Sequence, residues 1–408
     1  MNTLGDLTVP KIDQSGPPKT GEFTYIDISS IDNRLKRIVE PKRLPASAAP
    51  SRAKQCLQPG DVLVSMTRPN LNAVAIVSPD LEEAVGSTGF HVLRAVEGIE
   101  SRWLLYAVQT HDFVEAMSSL VQGALYPAVR PKDIRAFGIE APPLDEQRLI
   151  VAEIEKQFSR LDEAIANLKR VKANLKRYKA AVLKAAVEGK FVSNDPRGWT
   201  RTNLGTVLTT IEAGKSFKCE ERLPNIREIG VVKVSAVTWG TYNEGESKTC
   251  LDPDRIETRY FVKPGDFLFS RANTIQLVGA CVIAQKVTRR VMLSDKILRF
   301  HFSDMVVPRW VLYWLRSDIG RKEIQRLSTG NQESMRNIGQ DRIRQITFAL
   351  PSLDEQRAIV AEVERRLSVI DELEATVEAN LKRADRLRQS ILQDAFSGNL
   401  TSISNHQL

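Results

Sequence analysis

Cysteine and histidine are scarce in this chain of 408 residues, with four of each. Cys56, Cys219, Cys250 and Cys281 stand far apart without a C-x-x-C pair, and the histidines are too few to complete a metal cage. A disulfide scaffold and a zinc framework are thereby excluded, and reduced thiols in a cytoplasm are expected. Nowhere do 18 apolar residues run together, and the start, MNTLGDLTVPKIDQSG, carries no charged-then-apolar leader. The expectation is a cytoplasmic protein that neither crosses a membrane nor is secreted.

Catalytic signatures are missing as well. EAGKS (Glu212 to Ser216) resembles the end of a G-x-x-x-x-G-K-S phosphate loop, but the first glycine would have to be residue 209, which is Thr209. Without it the backbone cannot wrap its amides around phosphate, and a turn between strands explains the stretch better. Pro79-Asp80 and Pro253-Asp254 lack the following E-x-K of a magnesium-dependent nuclease, and no N/D-P-P-Y/F loop of an adenine methylase occurs. A glycine-rich cofactor turn is absent too. His91, His111 and His301 are isolated, as packed or solvated histidines usually are. No enzyme is visible.

What the chain does have is length, positive charge and an echo. It exceeds the roughly 250 to 300 residues at which one core stops growing, so two or more folding units are expected. Hydrophobic content of 42% and charged content of 26% are ordinary for a globular protein. A net charge of +8 and a pI near 9.3 favour a polyanionic partner such as nucleic acid, although excess lysine also serves solubility. PPLDEQRLIVAEIE (Pro142 to Glu155) returns as PSLDEQRAIVAEVE (Pro351 to Glu364), 209 positions later (353 minus 144). Gly189 and Gly398 keep that offset. Upstream the offset varies: QPGDVLVSMTR (Gln58 to Arg68) matches KPGDFLFSRAN (Lys263 to Asn273), and SRWLLYAV (Ser101 to Val108) matches PRWVLYWL (Pro308 to Leu315). Leu4-Gly5 and Leu204-Gly205 open the halves. The period is far too long for a solenoid unit and indicates duplication of a whole module.

Each module is expected to be a mixed α/β globular part followed by a long helix. From Asp145 to Glu188 there is no proline or glycine, and Ile154, Phe158, Leu161, Ile165, Leu168, Leu175 and Val182 recur mostly at spacings of three and four. Val363, Leu367, Ile370, Leu373, Val377, Leu381, Leu387 and Ile391 do the same in the second copy. About 44 residues make a rod of roughly 65 Å, and so narrow an apolar stripe wants a partner helix, as in a coiled coil. Acids open the helix and bases close it, matching the macrodipole, and Gly189 and Gly398 sit where a positive-φ cap belongs. Lys172 and Lys179 interrupt the first stripe, which is then splayed or faces something acidic. The expected division is 1–143 globular, 144–190 helix, 191–352 globular, 353–401 helix and 402–408 tail. Strands are expected at Phe23 to Ile28, at Gly230 to Val237 and after both Pro-Gly-Asp turns, with short helices near Arg102 to Thr110 and Arg309 to Arg316.

Basic and amide side chains gather in loops at matching points of both modules. SSIDNRLKRIVEPKR (Ser29 to Arg43) holds Arg34, Lys36 and Arg37, together with Lys42 and Arg43. Its counterpart, KVSAVTWGTYNEGESK (Lys233 to Lys248), holds Lys233, Ser235, Trp239, Tyr242 and Asn243. After the strands stand Thr67, Arg68, Ser270, Arg271 and Asn273. Before the long helices, QGALYPAVRPK carries Arg130 and Lys132, and TGNQESMRN carries Asn331, Gln332 and Arg336. Arg and Lys grip phosphate, and Asn, Gln, Ser, Thr and Arg read base edges, although any one of these residues could equally be a solvated loop position.

The duplicated P-x-L-D-E-Q-R-x-I-V-A-E helix starts and the P-G-D-x-L strands resemble the specificity subunit of type I restriction-modification enzymes over essentially the whole chain. That resemblance implies two target recognition domains, each reading one half of a bipartite, asymmetric double-stranded DNA site. It implies helices that pair as an antiparallel coiled coil with pseudo-twofold symmetry, set the spacer and dock two methylase subunits. S-adenosylmethionine, ATP and Mg2+ are then needed by the methylase and the restriction-translocase partners, not by this chain. A tryptophan often precedes the Leu-Gly of such a domain; Trp199 supplies it in the second half, and the first half has no equivalent. A scaffold whose coiled coil joins two protein-binding heads would explain the helices and the duplication but not the basic loops. An enzyme with an unrecognised site accounts for still less.

Overall fold

The computed structural model describes residues 2–123, 125, 127–192 and 198–398. The 402–408 tail and positions 399–401 at the expected helix end lie outside them. Contacts divide the chain into two compact units, one of residues 1–169 with those from 378 onward, the other of residues 170–377. Each unit therefore contains one globular part and portions of both long helices, a division that a linear sequence map does not express.

The two globular parts repeat a common plan. In the first, Asn2–Thr3 pairs antiparallel with Gly138–Ile139, which ties the chain start to the strand leading into the helix. In the second, Thr200–Asn203 pairs with Thr347–Leu350 in the same way. A mixed four-stranded sheet follows in each: Lys42–Pro45, Glu22–Ile26, Val85–Ser87, Ala53–Cys56 in one, and Cys219–Glu220, Ser247–Cys250, Gly230–Val232, Val291–Met292 in the other. Both contain a single parallel pair, Tyr25↔Val85 and Gly230↔Val291. An antiparallel sheet centred on Val62–Ser65, or on Phe267–Ser270, completes the plan. All four residues of each central strand are buried, the pattern of a strand covered on both faces.

The Pro-Gly-Asp turn that launches each central strand is now explained atom by atom. Gly60 and Gly265 have φ of +88° and +92°, a conformation that side chains with a Cβ adopt poorly. The next residue, Asp61 or Asp266, accepts the backbone N–H of Gln58 or Lys263 at 2.8 Å, closing the turn. It also holds an arginine from the neighbouring strand region. Arg94 grips Asp61 with two 2.8 Å bonds, and Arg299 reaches Asp266 at 2.8 Å. The two-pronged Arg94 contact lets the Asp61 charge stay buried with its oxygens satisfied, whereas Arg299 reaches Asp266 through one nitrogen and its buried Nε has no partner.

Expected strands and helices appear with modest shifts. Glu22–Ile26 and Gly230–Val232 are shorter than the alternation suggested, because a single helical turn takes over at Ile28–Ser30 and Val234–Ala236. The short helices lie at Ser101–Ala107 and Pro308–Arg316. The long helices run Leu144–Val187 and Leu353–Phe396, 44 residues each, and Gly189 and Gly398 follow with φ of +72° and +78°.

The repeated motif is where each helix docks on its globular part. Gln147 and Gln356, third after the leucine of each copy, are 1% and 0% exposed. The Gln147 amide oxygen accepts the Glu100 N–H at 2.8 Å, while its nitrogen donates to the carbonyls of Pro142 and Gly98 at 2.8 and 3.3 Å. Gln356 repeats all three bonds, to Val307 N–H at 2.7 Å and to the carbonyls of Pro351 and Met305 at 2.9 and 3.3 Å. About two turns further, Glu155 pairs with Arg102 at 2.8 Å, and Glu364 pairs with Arg309. Ile150, Val151 and Ile154 bury against Trp103, and their counterparts Ile359, Val360 and Val363 are buried as well.

Within each unit the helix portions run antiparallel. In the first, the early part of one helix meets the late part of the other: Arg388 bonds Asp162 and lies 4.3 Å over the Phe158 ring, and Ile391, Leu392 and Ala395 join Phe158 and Leu161 in one core. In the second the order is reversed. Lys179 meets Asp371 at 2.7 Å and Glu374 at 2.6 Å, so this break in the apolar stripe faces acid, as one expectation had it. The missing opening tryptophan also has an answer: Trp199 packs edge-on against Trp310 at 5.6 Å, whereas Trp103 is covered by Phe396, from the end of the last helix, at 5.4 Å.

Gln356→Ala would strip a buried N–H and two carbonyls of their partner. It is expected to lower the stability of the second unit by about 1–3 kcal/mol in urea unfolding, and Gln147→Ala the same in the first. Unfolding curves unchanged by either substitution would show that the glutamine does not hold helix to head.

Candidate nucleic-acid interface

In the first unit the Ser29 to Arg43 segment folds into a small hairpin, Ile31–Asp32 against Arg37–Ile38. Arg34 and Arg37 are exposed beside its turn, and Arg34 lies 3.4 Å from Asp385. Lys36 is different. Its backbone is left-handed (φ +54°), and its ammonium turns inward to the Asn72 carbonyl at 2.5 Å. Burial, with Arg388 adding repulsion, lowers its pKa to about 8. Lys36, Arg37, Arg102, Tyr106 and Arg388 share the wall of a cleft of about 550 Å³.

Thr67 and Arg68 follow the central strand, both exposed, and they are joined to the loop before the long helix. Thr67 bridges Ala128, the Arg68 N–H donates to Pro127 at 2.9 Å, and the Val129 N–H donates to Met66 at 2.9 Å. Arg130 and Lys132, also exposed, come next, at a helix start closed by the Arg130 N–H to Asp133 bond of 2.9 Å. Thr67, Arg68, Arg130 and Lys132 thus form one surface from two distant segments.

The second unit makes the same junction as a small sheet. Ala272–Asn273 pairs with Met335–Asn337, which pairs with Thr329–Gln332, and Asn273 stands opposite Arg336. Asn331 and Gln332 are exposed on the hairpin. Arg336 shapes it from within, donating to the carbonyls of Gly330 at 2.7 Å and Ser328 at 2.9 Å. Arg271 and Asn273 are half-buried, and the Asn273 side-chain oxygen accepts the Thr274 N–H at 2.9 Å.

The Lys233 to Lys248 segment is more inward than its composition suggests. Tyr242 packs against the core of Val232, Leu268 and Val291, and burial pushes its phenol upward. Asn243 holds the Gly245 N–H at 3.0 Å. Trp239 donates to the Gln276 carbonyl at 2.9 Å, with the Arg321 guanidinium 4.1 Å above its ring. Ser235 donates to Glu246 at 2.7 Å. Lys233 instead joins Lys215, Lys248 and Lys296 around a cleft of about 360 Å³. Motif reading did not bring these four lysines together, because they stand far apart along the chain and meet only through strand pairing. Glu221 contacts Lys233 at 3.0 Å and Lys248 at 3.4 Å, and Glu257 contacts Lys215 at 2.5 Å.

EAGKS is the turn that the missing glycine implied. Glu212 and Ala213 end a strand, and a Cβ on Gly214 would lie 2.1 Å from the Leu293 carbonyl oxygen, so close backbone approach explains that glycine. Among the described residues no group of three or more His, Cys, Asp or Glu could hold a metal ion, and no helix is long and apolar enough to cross a membrane.

Twin α/β heads, each docked on a long helix and each bringing a post-strand loop to a pre-helix loop, make this a duplicated modular protein. Comparison with known proteins shows what the chain is similar to. Residues 15–177 match the type I restriction modification DNA specificity domain. The chain is 26% identical over 98% of its length to the Escherichia coli K12 type I restriction enzyme EcoKI specificity subunit, covering 84% of that relative. The StySPI specificity subunit of Salmonella potsdam gives the same identity and coverage. Among solved structures, a chain from a type I R-M system superposes with a TM-score of 0.77 at 27% identity, with 97% of both chains covered. The HsdS subunit from Thermoanaerobacter tengcongensis gives 0.62 at 28% identity, covering 97% of this chain and 96% of that one. Over nearly its whole length the chain is thus similar to type I restriction enzyme specificity subunits.

Arg68→Ala and Lys132→Ala are expected each to weaken DNA binding and to reduce the slope of log affinity against log salt by about 1. Arg336→Ala should instead loosen the Thr329–Asn337 hairpin, detected as faster amide exchange there. A salt slope left unchanged by both first-unit substitutions would remove this surface from the interface.

Proposed function

We propose that the two globular parts are target recognition domains, each reading one half of a bipartite, asymmetric double-stranded DNA site. The observation that carries this reading is the recurrence, at matching points of both units, of a post-strand loop hydrogen-bonded to a pre-helix loop, with exposed Arg, Lys, Asn and Gln on it. Phosphate contacts by Arg68, Arg130 and Lys132 position the first head, and Asn331 and Gln332 offer amides to base edges from the second. Because the loops differ between units, the half-sites differ in sequence.

The paired helices set the unread spacer. Heads on one face of the duplex engage half-sites about one turn apart, near 34–36 Å, and a fixed rod length then fixes that distance. The exposed faces of the same helices dock two methylase subunits, with restriction-translocase subunits joining them in the cytoplasm. S-adenosylmethionine, ATP and Mg2+ are supplied to chemistry in those partners.

Inserting four residues near Lys169 or Glu378 is expected to lengthen the spacer by roughly one to two base pairs, from about 6 Å of added helix, or to abolish modification. The methylated motif of the reconstituted methylase complex, mapped across a genome, reads the result, and an unaltered motif would refute the ruler. Replacing residues 192–352 with the corresponding segment of another specificity subunit should change one half-site alone. If both halves of the mapped motif change, the modules do not read independently.

A further inference from the structure

The four cysteines look unrelated in sequence, but two of them meet in the second unit. Cys219 and Cys250, 31 positions apart (250 minus 219), are direct cross-strand partners in the antiparallel pairing of Cys219–Glu220 with Ser247–Cys250. The Leu251 N–H donates to the Lys218 carbonyl at 2.8 Å on one flank of the pair, which places the cysteines at a non-hydrogen-bonded position of the ladder. Such positions bring Cα atoms to about 4.5 Å, inside the roughly 4.4–6.8 Å that a disulfide spans. Both side chains lie on the same face, half-buried in one cluster with Val231, Tyr260 and Met292. Each thiol is engaged only loosely, Cys219 at 3.5 Å from the Phe217 carbonyl and Cys250 at 3.9 Å from that of Asp252. The other two have no such neighbour: Cys281 is fully buried on a central sheet, and Cys56 sits in the other unit beside Ser15.

We propose that Cys219 and Cys250 are a reversible dithiol site that closes to a cross-strand disulfide by exchange with a low-molecular-weight disulfide. One cysteine thiolate, its proton released to water, attacks a sulfur of the oxidant and expels a small thiolate, leaving a mixed disulfide. The second cysteine, likewise deprotonated, attacks the protein sulfur of that mixed disulfide and expels the other small thiolate. The protein loses two hydrogens, and one small disulfide becomes two small thiols. Burial raises the Cys219 thiol against the opposing pull of Lys248, so closure accelerates as pH rises.

Closure acts on the lysine cleft. Cys219 belongs to a two-residue edge strand, preceded by cleft residues Lys215, Ser216 and Phe217 and followed closely by Glu221, which holds Lys233 and Lys248. Fixing that strand keeps Glu221 on both lysines and withholds their charge from phosphate. This consequence rests on the DNA-recognition reading, whereas the dithiol itself does not.

The full chain is equilibrated in glutathione buffers of rising oxidised fraction, acid-quenched, alkylated with N-ethylmaleimide and mapped by mass spectrometry. Expected is a fall from four to two alkylatable thiols, with the Cys219 and Cys250 peptides joined; in Cys219→Ser, Cys250 should retain a glutathione adduct. Two persistently alkylated thiols at these positions, two separate stable adducts, or linkage to Cys56 or Cys281 would overturn the proposal. DNA binding is measured in parallel at low salt, where the oxidised protein should bind several-fold more weakly and the Cys219→Ser/Cys250→Ser double variant should not respond. A disulfide that forms without altering binding overturns its coupling to the cleft. A disulfide in a chain that binds no DNA in either state overturns the recognition reading and leaves the dithiol standing.

Discussion

A buried carboxamide holds each head to its helix, and most of the architecture follows from it. Gln147 and Gln356 satisfy one N–H and two carbonyls that the fold would otherwise bury unpaired. A glutamine suits this place because it offers both an acceptor and two donors at the end of one side chain, without a charge to desolvate. The surrounding contacts, Arg102 with Glu155 and Arg309 with Glu364, set the orientation of the same joint about two turns along. A head fixed to its helix in this way cannot rotate without breaking several bonds at once.

That joint accounts for the uneven pattern of likeness between the halves. The helix starts are nearly identical because the glutamine, the glutamate and the apolar residues between them all touch the head. The Pro-Gly-Asp turns are alike because a positive-φ glycine and an aspartate gripping a buried arginine leave little latitude. Between those anchors the loops diverge in length and composition. The first head presents a left-handed Arg68 beside Arg130 and Lys132, and the second extends a hairpin carrying Asn331 and Gln332. Shared anchors with unlike loops keep one head design while varying the surface it presents.

Electrostatics is local and not diffuse. Although the net charge is +8, many cations are engaged within the fold: Arg94, Arg299 and Lys179 in ion pairs, Arg336 in its hairpin. Exposed cations stand on the first head's joined loops, and four lysines line one cleft of the second. In that cleft Glu221 offsets two of the four ammonium groups and Glu257 a third.

By itself the sequence determined the duplication, the mixed α/β class, both 44-residue helices and their glycine ends, because these rest on periodicity, chain breakers and repetition, all local properties. It also located the loops at which basic residues recur. Tertiary structure decided which of those residues face outward: it turned Tyr242 and Lys36 inward, committed Arg336 to its own hairpin, and assembled Lys215, Lys233, Lys248 and Lys296 from four segments. It alone placed Phe396 over Trp103 and Cys219 opposite Cys250. Side-chain direction and long-range pairing depend on strand register and on what covers each face, and neither is written in the spacing of residues along the chain.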